Sequence, residues 1–136
     1  MRQEFHIETI PMGQPRPKFA RIGNGVRTYD PAKAGRYKAD IRAQVLSKPH
    51  SIMEGPLVMI CEFYMMHPKA HYNTKGLKNT APLWHEKKPD LDNMIKAVKD
   101  ALKGIVWRDD SQVCSLYASK KYREAPGILI VVQDIP

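Results

Sequence analysis

One apolar run constrains the fold of this chain more than any other stretch. Directly after a Gly55-Pro56 turn, one alternating face carries Leu57, Met59, Cys61 and Phe63 and the other carries Val58, Ile60 and Tyr64, so both faces are largely apolar. A strand that is apolar on both faces is typical of the interior of a sheet that is covered by helices. The run therefore predicts a central strand, and the remaining elements have to supply its neighbours and its cover.

The other periodic stretches predict two helices and three more strands. Apolar residues at helical spacing follow Asp30-Pro31 as far as about Ser47, and a second such set runs from Asn93 to a stop at Gly104, with Asp92 or Asn93 as its cap. Strand patterns run from Phe5 to an end at Pro11, from Gln112 to about Lys121, and from Ile128 to Val132. This order predicts one α+β domain, in which two main helices pack on a mixed or antiparallel sheet of about four strands.

Length and charge narrow the function class. The chain has 136 residues and a formal net charge of +8, which favours a polyanionic partner, nucleic acid above all. Its apolar runs are too short to span a bilayer, and its charged N-terminus is unlike a signal peptide. We therefore expect a cytoplasmic protein without a membrane partner. Cys61 and Cys114 lie in apolar strands and are expected to be buried, reduced thiols.

Two basic segments interleave cations with aromatic rings. Phosphates can meet the cations of such segments while an unpaired base stacks on a ring. A solvated turn with its rings in the core is the alternative for the first segment. The predicted DNA-binding residues are Arg16, Lys18, Phe19, Arg21 and Arg27 in the first segment, and Lys75, Lys87 and Lys88 in the aperiodic segment from His67 to Pro89.

Acidic residues gather where the second helix begins and again where it has ended. Asp90 and Asp92 lie two residues apart, and Lys96 follows one helical turn later. An Asp109-Asp110 turn follows the helix and could supply a third acid, although spacing does not separate one from the other. Carboxylates of this kind suit Mg²⁺ that also binds a substrate phosphate. The structural alternative is a loop acid, a helix cap and an ordinary turn.

Histidines do not provide a comparable pattern. His67, His71 and His85 suggest zinc, but Pro68 interrupts a helical His-x-x-x-His and no matching Cys or His partners are present.

The acidic block resembles the signature of the RusA family, the Holliday junction resolvases of bacteria and their prophages. The resemblance is carried by residues 88–102 (KPDLDNMIKAVKDAL) and 104–113 (GIVWRDDSQV), and by the N-terminal Pro15 to Phe19 and Tyr29 to Lys33. It implies a homodimer that cuts two opposing strands of a four-way DNA junction with Mg²⁺, for which Mn²⁺ can substitute. It also implies that Asp90, Asp92 and Asp110 are the metal-binding catalytic acids and that Lys96 is the catalytic lysine.

Two other functions stay open at this point. One is a less selective metal-dependent nuclease acting on flaps or branched DNA. The other is a junction-binding protein in which the acids only cap and turn the chain.

Overall fold

The order of elements follows from a computed structural model, which describes residues 1–14, 20–22, 25–27 and 31–136. Within these ranges two α-helices are interspersed among strands, most of them short. In chain order the elements are β1 (Arg2–Ile7), β2 (Ala20–Ile22), β3 (Gly25–Arg27), α1 (Pro31–Leu46), β4 (Leu57–Met65), β5 (Tyr72–Asn73), β6 (Gly76–Leu77), α2 (Leu91–Leu102), β7 (Val113–Tyr122) and β8 (Gly127–Asp134).

The main sheet has four strands in the order β1-β8-β4-β7. β4 pairs antiparallel with β8 and parallel with β7, so the sheet is mixed and β4 lies in its interior. The predicted α+β fold, with two helices and a four-stranded mixed sheet, is confirmed. β2 with β3 and β5 with β6 form two separate small hairpins.

Alternation along β4 shows which face of the sheet carries the core. Its odd-numbered residues are all buried, whereas its even-numbered residues are only partly buried. The buried set is Leu57, Met59, Cys61, Phe63 and Met65. Burial also raises the pKa of the Cys61 thiol above its usual value, so this thiol stays protonated. Cys114 was expected to be buried as well, but it is exposed, because β7 is an edge strand of this sheet.

The two helices are joined to each other by polar contacts at the last turn of α2. Arg42 of α1 donates from Nη1 to the carbonyl oxygens of Ala101 (2.9 Å) and Lys103 (3.2 Å). These carbonyls belong to the group that a helix end leaves without intrahelical partners, and a cation there also opposes the negative end of the helix dipole. α2 ends at Leu102, and two residues later Gly104 has a φ of +85°, a backbone conformation that glycine adopts readily.

Several boundaries differ from the sequence prediction. α2 begins at Leu91 with Asp90 as its N-cap, so Asp92 lies in the first turn rather than at the cap. β1 begins before Phe5, at Arg2, and ends at Ile7, well before Pro11. β8 extends beyond the predicted strand at both ends. The predicted cap Asp30 lies outside the described residues.

The segment from 67 to 89 was expected to lack regular structure, yet it is tied to β7. It contains a short 3₁₀ turn and the β5–β6 hairpin. Trp84 forms an isolated bridge with Lys121, and the N–H of Tyr122 donates to the Leu83 carbonyl at 2.7 Å. The His67 ring also stacks on Tyr122, with the ring centroids 5.0 Å apart. The segment therefore covers the C-terminal end of this edge strand. In the part of the chain that the structure describes, neither helix has the length and hydropathy needed to cross a membrane.

Core packing predicts a large difference between two leucines of the sheet. Leu57 is fully buried, whereas Leu116 is 45% exposed. Leu57→Ala should lower the free energy of unfolding by about 2–5 kcal/mol, because it removes buried methyl groups and leaves a cavity. Leu116→Ala, the matched control, should lower it by less than about 1 kcal/mol. Urea denaturation followed by circular dichroism measures both, and equal losses would contradict this assignment of the core.

Candidate active site

One face of α2 and the turn before β7 border a solvent-open cavity of about 240 Å³. Its lining residues are Asp92, Ile95, Lys96, Lys99, Asp100 and Asp110. Residues three and four apart lie on the same side of a helix, so α2 brings two acids and two lysines to one surface. Asp110 comes from a different element, the 3₁₀ turn Asp110–Gln112 that leads into β7. Two acids that are far apart in the sequence thus share one site.

Asp110 is oriented by the core. The indole Nε1 of Trp107 donates to Asp110 Oδ1 at 2.8 Å, and the Trp107 ring itself is fully buried. A ring packed on all sides has few alternative positions, so the direction of its N–H is fixed. The hydrogen bond therefore connects this cavity carboxylate directly to the hydrophobic core.

Asp109, the neighbouring acid, has a different role. Its Oδ1 accepts from the backbone N–H of Ser111 at 3.0 Å, and its own N–H donates to Gln112 Oε1 at 3.0 Å, which completes a capping box. The hydrogen bonds from Ser111 lower the pKa of Asp109 below its usual value. The two acids that spacing left equivalent are thus distinguished by geometry, since Asp109 caps the turn and Asp110 lines the cavity.

Gln112 anchors the acidic turn to the rest of the fold. Its Oε1 also accepts from the N–H of Arg108 at 2.8 Å, and its Nε2 donates to the carbonyls of Met53 and Gly55, both at 3.0 Å. Two of these hydrogen bonds join the turn to the segment that enters β4, and the two that Oε1 accepts hold the start of the turn itself. These hydrogen bonds, together with the one from Trp107, fix the position of Asp110 relative to the sheet.

Asp90 lies at the start of α2 and is not among the residues that line the cavity. It is the N-cap residue, with an extended backbone and an exposed side chain, and its carbonyl accepts from the N–H of Met94 at 3.2 Å. Side chains at a helix N-terminus face its positive dipole end, which favours anions and carboxylates. Asp90 is therefore placed two residues before Asp92, at the exposed beginning of the same helix.

Lys96 is paired loosely within the cavity. Its Nζ lies 3.9 Å from Asp100 Oδ1, while Lys38 of α1 approaches the other oxygen, Oδ2, at 3.5 Å. The Lys96 side chain is 62% exposed. An exposed pair at this distance is worth little to stability, so the ammonium can leave Asp100 for a stronger anion.

The donor set fits a hydrated Mg²⁺ better than a metal held entirely by the protein. Among the described residues, no group of three or more His, Cys, Asp or Glu side chains is close enough to hold a metal ion. Mg²⁺ usually keeps several waters and takes one or two carboxylates together with substrate phosphate. Asp92 and Asp110 supply such carboxylates, and the cavity is open to solvent, so water could complete the coordination.

The segment that precedes the first basic stretch passes over the start of α2. The N–H of Gln14 donates to the Asn93 carbonyl at 3.0 Å. A Cβ at Gly13 would come within 2.7 Å of the Pro89 Cβ, so a larger residue does not fit there without a shift. The residues that directly precede the first basic segment therefore lie beside Asp90.

The predicted DNA-binding residues divide into those that the structure describes and those that it does not. Arg16, Lys18 and Phe19 lie outside the described residues, and for Arg21 and Arg27 only the strand backbone is described, in β2 and β3. The side chains of Lys75, Lys87 and Lys88 are exposed. Contact of any of these residues with DNA stays a prediction.

Sequence reasoning missed three contributors to this site. Asp100 and Lys99 line the cavity, and helical spacing from Asp92 and Lys96 could have found both. Trp107 was assigned only to the lead into the acidic turn. No sequence pattern predicts that an indole N–H will donate a hydrogen bond to a carboxylate three residues later, because that contact depends on how the ring is buried.

The cap at Asp109 predicts a pH-dependent stability difference. Its lowered folded-state pKa means that ionised Asp109 stabilises the fold above its unfolded pKa, and that this contribution disappears as pH falls through the folded value. Asp109→Ala should therefore lower the melting temperature at pH 7, and the deficit should shrink towards pH 3. Asp109→Asn is the control, since asparagine caps equally well. Thermal melts at both pH values check this, and a deficit that is constant with pH would refute the charge contribution.

Comparison with known proteins identifies the family of this chain. The model of the family described as endodeoxyribonuclease RusA matches residues 8–133. A protein of Bacillus subtilis (strain 168) named uncharacterized protein YqaN is 36% identical over 137 residues, covering 97% of this chain and 96% of that protein. The crossover junction endodeoxyribonuclease rusA of Lactococcus phage r1t is 26% identical over 136 residues, with the same coverage. Because the family match includes both acidic segments and the helix between them, this chain belongs to the RusA endodeoxyribonuclease family.

Proposed function

We propose that this protein is a Mg²⁺-dependent endodeoxyribonuclease that resolves four-way DNA junctions as a homodimer during recombination and repair. One observation carries the proposal: Asp92, Asp110 and Lys96 line the same open cavity, although they come from two separate elements. Membership of the RusA family supports the nuclease activity. The name of the phage relative, a crossover junction endodeoxyribonuclease, supports the branched substrate.

The carboxylates would hold the metal. Asp92 and Asp110 line the cavity, and Asp90 lies two residues before Asp92 at the exposed start of α2, from where it would add a third carboxylate. Mg²⁺ bound there would supply an activated water and polarise the scissile phosphate, and Mn²⁺, which also prefers oxygen ligands, would substitute for it. The protein contributes fixed ligand positions, above all through the hydrogen bond from Trp107 to Asp110.

Lys96 would stabilise charge on the phosphate. Its ammonium lies at the cavity, and among the described residues its ion-pair partner is Asp100, at the long distance of 3.9 Å. A DNA phosphate entering the cavity offers a stronger partner, and the charge on its oxygens grows as water attacks. Attack in line with the leaving oxygen breaks one P–O bond and leaves a nick that a ligase can seal.

Binding to the DNA would depend mainly on phosphate contacts. The chain carries a net charge of +8, and the segment that contains Arg16, Lys18 and Phe19 leaves the described structure beside Asp90. Each phosphate that a cation neutralises releases counterions, so affinity for the junction should fall steeply with salt. A homodimer with two such cavities related by a twofold axis would match the two opposing strands that must be cut.

A less selective nuclease and a junction-binding protein without activity remain the two competing functions. All three predict binding to branched DNA. They differ in whether the DNA is cut and in whether linear duplex is cut equally well.

A cleavage assay separates these functions. With Mg²⁺ and a synthetic four-way junction, the wild-type protein should give paired nicks at symmetric positions and leave linear duplex intact. Asp92→Asn and Asp110→Asn should each lower the cleavage rate by more than about a hundredfold, because losing a residue that merely supports a ligand already costs 10–100-fold. Both variants should bind the junction at least as tightly as wild type, since each removes a negative charge.

Asp109→Asn is the matched control for this assay, because it removes the same charge one position away and preserves the cap. It should cut the junction at close to the wild-type rate. Equal cutting of duplex would favour the less selective nuclease, and binding without cutting would favour the inactive junction-binding protein. Full activity in Asp92→Asn would refute the metal site.

Lys96 gives a separate prediction about the chemical step. Lys96→Met should lower the single-turnover cleavage rate by about a hundredfold or more, as expected when a group that stabilises developing charge is removed. Junction binding in Ca²⁺ should change no more than it does in Lys103→Met, which removes an exposed lysine after the end of the same helix. An unchanged cleavage rate in Lys96→Met would show that this lysine is a surface residue without a catalytic role.

A further inference from the structure

Lys120 of β7 contacts the segment that carries Asp90. Its Nζ donates to the carbonyl oxygen of Pro89 at 2.8 Å and also to that of Lys87. The side chain is partly buried, and Lys120 pairs in register with Phe63, whose side chain points into the core. Neighbouring residues of paired strands share a face, so Lys120 extends along the covered face of the sheet rather than into solvent.

These contacts fix the backbone immediately before Asp90. The Pro89 carbonyl and the Asp90 Cα belong to the same planar peptide unit. A hydrogen bond to that carbonyl therefore fixes the plane from which the Asp90 side chain departs. Hydrogen bonds from an ammonium are roughly twice as strong as those between neutral groups. Gly13 packs against the Pro89 ring, so the chain at this point is also confined by the N-terminal segment.

No other described contact gives Asp90 an equivalent restraint. Its N-cap position carries no hydrogen bond from the side chain to the helix backbone. Asp110, in contrast, is oriented directly by Trp107. The position of Asp90 relative to the other acids thus depends on the backbone on both sides of it, and on the N-terminal side that backbone is bound by Lys120.

We propose that Lys120 is a positioning residue for metal binding, which acts through Asp90 by holding the Pro89 carbonyl. This inference rests on the proposed function, because it takes Asp90 as a metal-binding carboxylate. Lysine suits the role since its ammonium has three donors and no acceptor, and two of these donors meet backbone carbonyls here.

Metal affinity in the absence of DNA provides the test. Mn²⁺ binding, followed by electron paramagnetic resonance of the free ion, should weaken at least fivefold in Lys120→Met. The Mg²⁺ concentration for half-maximal junction cleavage should rise by a similar factor. Lys120→Arg, which keeps the charge and the donors, should recover part of the loss. Junction affinity in Ca²⁺ should fall no further than in any variant that loses one positive charge.

Lys121→Met is the matched control. It removes the same charge from the next residue of the same strand, on the opposite face, where Lys121 Nζ lies 4.9 Å from the Trp84 ring centroid. Its metal affinity should stay within twofold of wild type. Equal metal affinity in Lys120→Met and Lys121→Met would overturn the inference. Should Lys120→Met not fold, Lys120→Gln, whose amide retains donors without the charge, replaces it in the same comparison.

A double-mutant cycle tests whether Lys120 acts through Asp90. In an Asp90→Asn background, Lys120→Met should cause no further loss of Mn²⁺ affinity, because the group that Lys120 positions is already gone. Additive losses would overturn the proposed route. A wild-type protein that neither binds Mn²⁺ nor cuts the junction would instead refute the proposed function itself, so the two failures are distinguishable.

Discussion

Burial of Trp107 is the constraint on which the arrangement of the site depends. The ring is fully enclosed, its backbone pairs with Met53 in an isolated bridge, and its carbonyl accepts from the N–H of Gly104 at 2.7 Å. One residue thereby joins the end of α2, the approach to β4 and, through its indole N–H, the carboxylate of Asp110. Because the core is close-packed, this carboxylate cannot move far without disturbing the sheet.

Asp92 and Asp110 are held by different means, and the difference suits a nuclease. Asp92 stands on the first turn of a regular helix, and Asp110 stands on a turn that Gln112 and Trp107 fasten to the core. If both carboxylates hold the proposed metal, it would connect two rigid elements, while Asp90 lies at the start of α2. Lys96, exposed and weakly paired, is the mobile charge among these fixed groups.

Much of the fold could be predicted from local pattern, since hydrophobic periodicity marked both helices and all four strands of the main sheet. Sequence spacing also identified Asp90, Asp92 and Lys96 as a group, because they lie within one short stretch. The choice between Asp109 and Asp110 could not be made this way. It depends on which carboxylate the backbone of Ser111 reaches and which one the buried indole reaches, and both are consequences of tertiary packing. The exposure of Cys114 was missed for a similar reason, because strand order decides which strand lies at the edge.

The pairing of β1 with β8 has a consequence for how the protein is made. Arg2 lies opposite Gln133, so the sheet joins two parts of the chain that are more than a hundred residues apart in the sequence. Contacts this distant in sequence form slowly and only after the intervening chain is available. The contact that holds the backbone before Asp90 likewise forms only once Lys120, thirty residues further along the chain, is available. A partly synthesised chain that lacks β7 therefore also lacks the hydrogen bond from Lys120 to the Pro89 carbonyl, so the backbone before Asp90 is held only after this strand has formed.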